Sequence, residues 1–303
     1  MKLSIWAGMG MLLAASIANA QPIETSFDIS VGYRNDALQW NIASDSSGSA
    51  TPNILSELTW EDLQIAQLAL GWQLTTANQV HLRLAGAYGW IYDGRNQDSD
   101  YLGNNRTLEF SRSNNETSGD NVWDLSAAIG YRFHYNNGAS SVTPLLGASL
   151  HAQNLRITNG NQTIPALGPF SDLNSTYQTE WTSGWLGVEL ENKDTDLFRS
   201  FLRLEYHRAD YYAEANWNLR TDFAHPKSFE HIADGDGLVV SFGGYSVPGR
   251  RRWSIRYSVD YQKWKTDPGT DRVFFASGAT STTRLNEVEW KSWSVSAGAQ
   301  YNF

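Results

Sequence analysis

The chain has 303 residues, 41% hydrophobic and 13% aromatic, with 13 Trp, 14 Tyr and no Cys. The formal charge is −9, and it becomes −10 if Lys2 is cut away with the first twenty residues, which hold no acid. That sign disfavours a nucleic-acid partner, the absence of Cys excludes disulfide and thiolate chemistry, and no apolar run after Ala20 reaches the roughly 18 residues of a transmembrane helix.

In chain order, Lys2, the apolar stretch Ile5–Ala15 and the small-x-small sequence Ala18-Asn19-Ala20 have the anatomy of a secretory signal. Residues 1–20 are expected to be removed, leaving 21–303 as a single domain. Period-two alternation then marks ten candidate strands, near 26–42, 56–74, 79–93, 120–133, 142–157, 176–191, 198–215, 236–247, 252–266 and 287–303. In the ninth, Trp253, Ile255, Tyr257, Val259 and Tyr261 alternate with Ser254, Arg256, Ser258, Asp260 and Gln262. The tenth sets Trp293, Val295, Ala297, Ala299, Tyr301 and Phe303 against small and polar residues. A lipid-facing side alternating with a lumen-facing side produces this pattern.

The linkers alternate short and long. Those near 75–78, 134–141, 192–196 and 248–251 are turn-like. Those near 43–55, 94–119, 158–175, 216–235 and 267–286 are long and polar. The expected fold is therefore all-β: a transmembrane, antiparallel, up-and-down barrel of ten strands in an outer membrane, with five long loops outside the cell. Arg83, Asp124, Arg132, Arg203, Glu205, His207, Arg256 and Asp260 fall on the inward side. Paired with one another, they would fill so narrow a lumen.

Chemistry is expected on the long loops. Asp98-Ser99-Asp100-Tyr101 places two carboxylates at i, i+2 on an extended segment, so both face one way. Such a pair can share a proton, position a water or bind a cation. The fourth loop holds Asp222, His225, Glu230, His231, Asp234 and Asp236, a set able to supply a carboxylate-oriented imidazole. The spacing of His225 and His231 fits no standard metal set, and no metal or other cofactor is expected. No Gly-x-Ser-x-Gly elbow occurs. Arg250, Arg251 and Arg252 cluster at a short turn, beside lipid headgroups.

Ten strands, five long loops and the Asp98-Ser99-Asp100-Tyr101 motif, preceded by Ser56–Trp60 and Leu70–Leu74, resemble the omptins, surface proteases of Gram-negative outer membranes. The resemblance covers nearly all of residues 21–303 and implies an aspartic-type endopeptidase. Asp98 and Asp100 would face a fourth-loop Asp-x-His pair across a cleft, and a water between them would attack the peptide carbonyl. Aligned without gaps, the family's Asp and His fall on Asn216 and Asn218, and Asn cannot act as a base. Asp222 with His225, or Glu230 with His231, would then replace them, with Tyr206, Trp217, Arg220 and Phe229 shaping the cleft. Alternatively, the barrel has lost catalysis and serves as a surface binding or adhesion protein. The resemblance also implies contact with lipopolysaccharide on the outer wall, where Arg156 is the matching cation. Basic peptides or host surface proteins are the expected partners beyond the lipid.

Overall fold

The computed structural model describes residues 23–195, 198–246 and 252–303. The signal segment 1–20 and Arg250 and Arg251 lie outside the described residues. Ten staves form a closed ring. They are β1 (Glu24–Ile42), β2 (Ser56–Thr75), β3 (Val80–Tyr101), β4 (Glu109–Glu116, Asn121–Tyr131 and Phe133–Tyr135), β5 (Ser140–Ile164), β6 (Asn174–Thr195), β7 (Phe198–Asn216), β8 (Phe229–Ser246), β9 (Trp253–Thr266 continued by Gly269–Phe274) and β10 (Thr280–Asn302). Each pairs antiparallel with its sequence neighbours, and β1 closes on β10 in the register Phe27↔Tyr301 to Trp40↔Val288. Among the described residues, the closed ring has no open edge across the belt. No described helix is long and apolar enough to cross a membrane.

The outward face of the short-turn half is apolar. On β1, Phe27, Ile29 and Val31 are 40%, 44% and 65% exposed. Leu84, Tyr88, Leu125, Leu146, Leu186, Phe242 and Ile255 continue the belt around the ring. So large an apolar surface would be untenable in water and is stable against lipid.

Several strands run further than their alternation suggests, β4 starting at Glu109 rather than 120, β5 reaching Ile164 rather than 157 and β9 continuing to Phe274 rather than 266. β3 continues from the expected 93 to Tyr101, β8 begins at Phe229 rather than 236, and β10 begins at Thr280 rather than 287. These extensions lie beyond the belt, where the outer face meets water, so polar residues stand on both faces and hide the strand in the sequence. The apolar parity reverses there. On β1 the odd residues up to Val31 face outward, whereas Leu38 and Trp40 face inward at 1% and 3% exposure.

The interior consequently has two layers. In the belt half, Arg34 forks onto Asp36 through two 2.7 Å bonds and reaches Asp124 at 2.6 Å; Arg83 meets Glu205 at 2.7 Å, and Arg256 approaches Asp28 at 3.5 Å. A cavity of about 200 Å³ lies among these groups. The charge network thus occupies only the lower half of the lumen. Above it, Trp40, Trp60, Tyr177, Trp181, Trp264 and Trp290 close the barrel. Trp264 and Trp290 stack with centroids 5.7 Å apart. Burying each of these rings contributes roughly 2–3 kcal/mol.

Candidate functional site

A bulge decides which residues of β3 look into the barrel's long-loop mouth. The β2–β3 register slips between Glu61 and Ile65, where Asp62 takes a left-handed φ of 52°. Below the slip Ile91 pairs with Ile65 and faces inward. Above it Asn96 pairs with Trp60, Asp98 with Leu58 and Asp100 with Ser56. Trp60 and Leu58 are buried inside the barrel, so Asp98 and Asp100 share the inner face. Without the slip, Gln97, Ser99 and Tyr101 would point there instead.

Both aspartates are half-buried at the mouth, beyond the apolar belt. Burial pushes the Asp98 carboxyl up to about 8, and the neighbouring Asp100 charge adds to the shift; Arg220 and the Trp217 indole N–H oppose it. Burial raises Asp100 as well, but hydroxyls from Ser56 and Ser111 and the Arg220 charge stabilise its anion. Both carboxyls thus hold their protons to higher pH than an ordinary aspartate, and Asp98 stays largely protonated at neutral pH.

The fourth loop supplies what stands opposite. Arg220 binds Asp222 through two 2.9 Å bonds and lies 4.0 Å from the centre of the Phe223 ring. Its hydrogen bond holds the exposed Asp222 carboxyl below the usual range. Trp217 packs edge-on against Phe229 at 4.7 Å. Among the described residues, no imidazole makes a hydrogen bond to Asp98 or Asp100.

The other sequence candidates are held elsewhere. His225 Nδ1–H donates to Asn216 Oδ1 at 2.7 Å. Asn218 fastens the loop to its neighbour: its Oδ1 accepts from Asn174 N at 2.9 Å and Ser175 Oγ at 3.1 Å, and its amide donates to Asp172 O at 2.6 Å. His231 is wholly buried. Tyr177 Oη lies 2.9 Å from its Nδ1, Asp271 lies 3.2 Å from Nε2, and Trp40 packs edge-on at 4.8 Å. Glu230 points the other way and accepts from Arg272 at 2.9 Å, so Glu230 and His231 do not form a pair. Tyr206 is on the outer wall, donating to Asp236 at 2.7 Å, and does not shape the mouth. Arg156 is also on the outer wall, 3.3 Å from Asn174 Oδ1. No group of three potential metal ligands occurs among the described residues. Ser56 and Ser111 escaped sequence reasoning, because only the cross-strand register places them beside Asp100.

A model of the Protochlamydia outer membrane protein (Pom) family matches residues 28–303. The chain belongs to this family. It is accordingly an outer-membrane barrel, as its lipid-facing belt requires. No curated protein matches the sequence. Among solved structures, the outer membrane protease OmpT from Escherichia coli is similar at a TM-score of 0.72 and 12% identity, over 92% of this chain and 97% of that one. That likeness shows the fold alone. The translocator domain of the autotransporter NalP from Neisseria meningitidis follows at 0.38 and 12% identity, over 95% and 90%, and the attachment invasion protein Ail from Yersinia pestis at 0.28 and 9%, over 92% and 99%. In this Pom-family barrel, then, the mouth carries a carboxyl pair on one wall and an Arg–Trp wall opposite.

Proposed function

We propose that the barrel is a surface endopeptidase whose chemistry rests on the Asp98–Asp100 pair, with the long-loop end facing outside the cell. One observation carries the reading. Two carboxyls share a wall of the mouth, and burial pushes the Asp98 carboxyl up to about 8. Such a pair supplies both an acid and a base at one place. Asp100 takes a proton from water, the water oxygen adds to the peptide carbonyl, and Asp98 gives its proton to the departing nitrogen. Arg220 stands where charge gathers on the carbonyl oxygen. The net charge of −9 favours basic peptides, and Arg156 on the outer wall is the residue offered to lipopolysaccharide. The test is cleavage of a quenched peptide library by refolded protein in lipopolysaccharide-containing vesicles. Cleavage is expected from the wild type, and its persistence undiminished in Asp98→Ala/Asp100→Ala would refute the mechanism.

A second reading, a surface binding or adhesion protein without turnover, draws on Asn218. That residue is used to stitch the fourth loop to the third rather than to activate water. It predicts no cleavage of any peptide, with surface binding that disappears when the second and fourth loops are shortened.

A further inference from the structure

Beneath the aromatic layer, an unbroken chain of polar contacts crosses the lumen. Asp124 Oδ1 lies 2.8 Å from His151 Nδ1, and His151 Nε2 lies 3.0 Å from Ser149 Oγ. Ser149 Oγ lies 2.8 Å from Ser183 Oγ, and Ser183 Oγ 2.9 Å from His207 Nδ1. His207 Nε2 ends the chain 3.2 Å from Glu205 Oε2. Both ends are anchored: Arg34 donates to Asp124 at 2.6 Å and Arg83 to Glu205 at 2.7 Å.

The chain has five successive contacts, and each needs one proton between its two heavy atoms; a longer contact of 3.4 Å also joins Ser149 Oγ to His207 Nδ1. Two neutral imidazoles and two hydroxyls bring only four. Carboxylates accept at both ends, so the ring N–H groups must point outward, to Asp124 and Glu205. The two inner ring nitrogens then present lone pairs to the serines. Two hydroxyl protons cannot fill the three inner contacts, and one would bring two lone pairs together at hydrogen-bond distance, which is repulsive. A fifth proton removes the conflict.

We propose that the Asp124–His151–Ser149–Ser183–His207–Glu205 chain is a proton-binding relay that stores one proton beyond two neutral imidazoles at neutral pH. The relay lies in the lumen and does not depend on the Asp98–Asp100 site. The proton sits between two carboxylates, which offset the cost of burying an imidazolium. It passes between the rings without net atom movement: His151 Nε2 gives a proton to Ser149, Ser149 gives one to Ser183, and Ser183 gives one to His207 Nδ1. The charged groups facing the two rings are Arg34 and Asp36 from β1, Arg83 from β3, Asp124 from β4, Arg203 and Glu205 from β7 and Asp260 from β9. β2 and β8 present Gln67 and Ser241, while Trp264, Trp290 and Trp185 pack on the rings. Loss of the proton in alkali reinstates the lone-pair conflict beneath the aromatic layer, making the lumen sensitive to pH.

A Ser149–His151–Asp124 arrangement also has the distances of a hydrolytic triad. While the fifth proton is on His151, its Nε2 carries a hydrogen and cannot take one from Ser149; only when the proton has moved to His207 does Ser149 donate to Nε2.

The test uses the full chain, refolded in bicelles with ¹⁵N-labelled histidine, and counts protonated ring nitrogens at pH 7.5. His151→Gln and His207→Gln assign the signals. Wild type is expected to show three of the four nitrogens of His151 and His207 protonated. Ser149→Ala breaks the inner chain and is expected to show two of four, a loss of one proton with the far-UV sheet signature retained. Ser183→Ala serves the same purpose should Ser149→Ala not fold. Two protonated nitrogens in the wild type, or three retained in the folded serine variant, would overturn the proposal.

Discussion

Replacing Asp98 by Asn turns the site's unusual proton into a stability measurement. Asn has the shape of the protonated carboxyl but does not titrate in this range. Between pH 3.8, the ordinary aspartate value, and about 8, the folded wild type holds a proton at Asp98 that the unfolded chain has released. The folded state binds more protons, so stability falls as pH rises through that window. The gap corresponds to a ceiling of about 6 kcal/mol. Asp98 is half-buried and faces Arg220, so solvent and that cation reduce the net effect to roughly 2–3 kcal/mol. Asp98→Asn should therefore unfold at a higher denaturant midpoint than wild type at pH 8.5, with the difference shrinking toward pH 4. Denaturant titrations of refolded protein in detergent, at half-unit pH steps, read this directly. Parallel pH dependences for the two proteins would refute the buried-proton argument, whatever the enzyme activity.

Three further changes probe the scaffold. Asn218→Ala removes three hydrogen bonds between the third and fourth loops. It should cost about 1–3 kcal/mol of local stability, seen as faster amide exchange across residues 172–175 and 217–228 with exchange in the belt strands unchanged. Trp264→Ala opens a cavity in the aromatic layer and should lower global stability by about 3–5 kcal/mol in a denaturant melt. His225→Ala breaks only an exposed bond to Asn216; peptide cleavage should stay within about twofold of wild type, because the proposed chemistry does not use that imidazole.

Much of the fold was legible because lipid imposes a strict period. Where only one face meets hydrocarbon, alternation such as Trp253 to Tyr261 marks each strand. The pattern fades beyond the belt. There Asn96, Asp98 and Asp100 continue β3 with polar residues on both faces, so the strand reads as loop. The site was half legible. The i, i+2 spacing of Asp98 and Asp100 identified the pair, but its orientation depends on the slip near Asp62, which has no signal in a period-two reading. The fourth loop's titratable residues looked like one cluster in sequence. Adjacent positions on an extended chain face opposite ways, so His231 enters the aromatic core while Glu230 turns to Arg272. The aromatic layer was hidden for a related reason: Trp40, Trp181 and Trp290 sit on the parity that carries polar residues nearer the short turns.

The central claim, that one protonated and one ionised carboxyl at Asp98 and Asp100 cleave peptides, is tested most directly by the pH dependence of kcat/KM on a cleaved peptide. The account predicts activity falling above a pH of about 8 as Asp98 loses its proton, with the alkaline limb absent and residual activity minimal in Asp98→Asn. Activity that climbs steadily through pH 9, or an unchanged profile in Asp98→Asn, would contradict it.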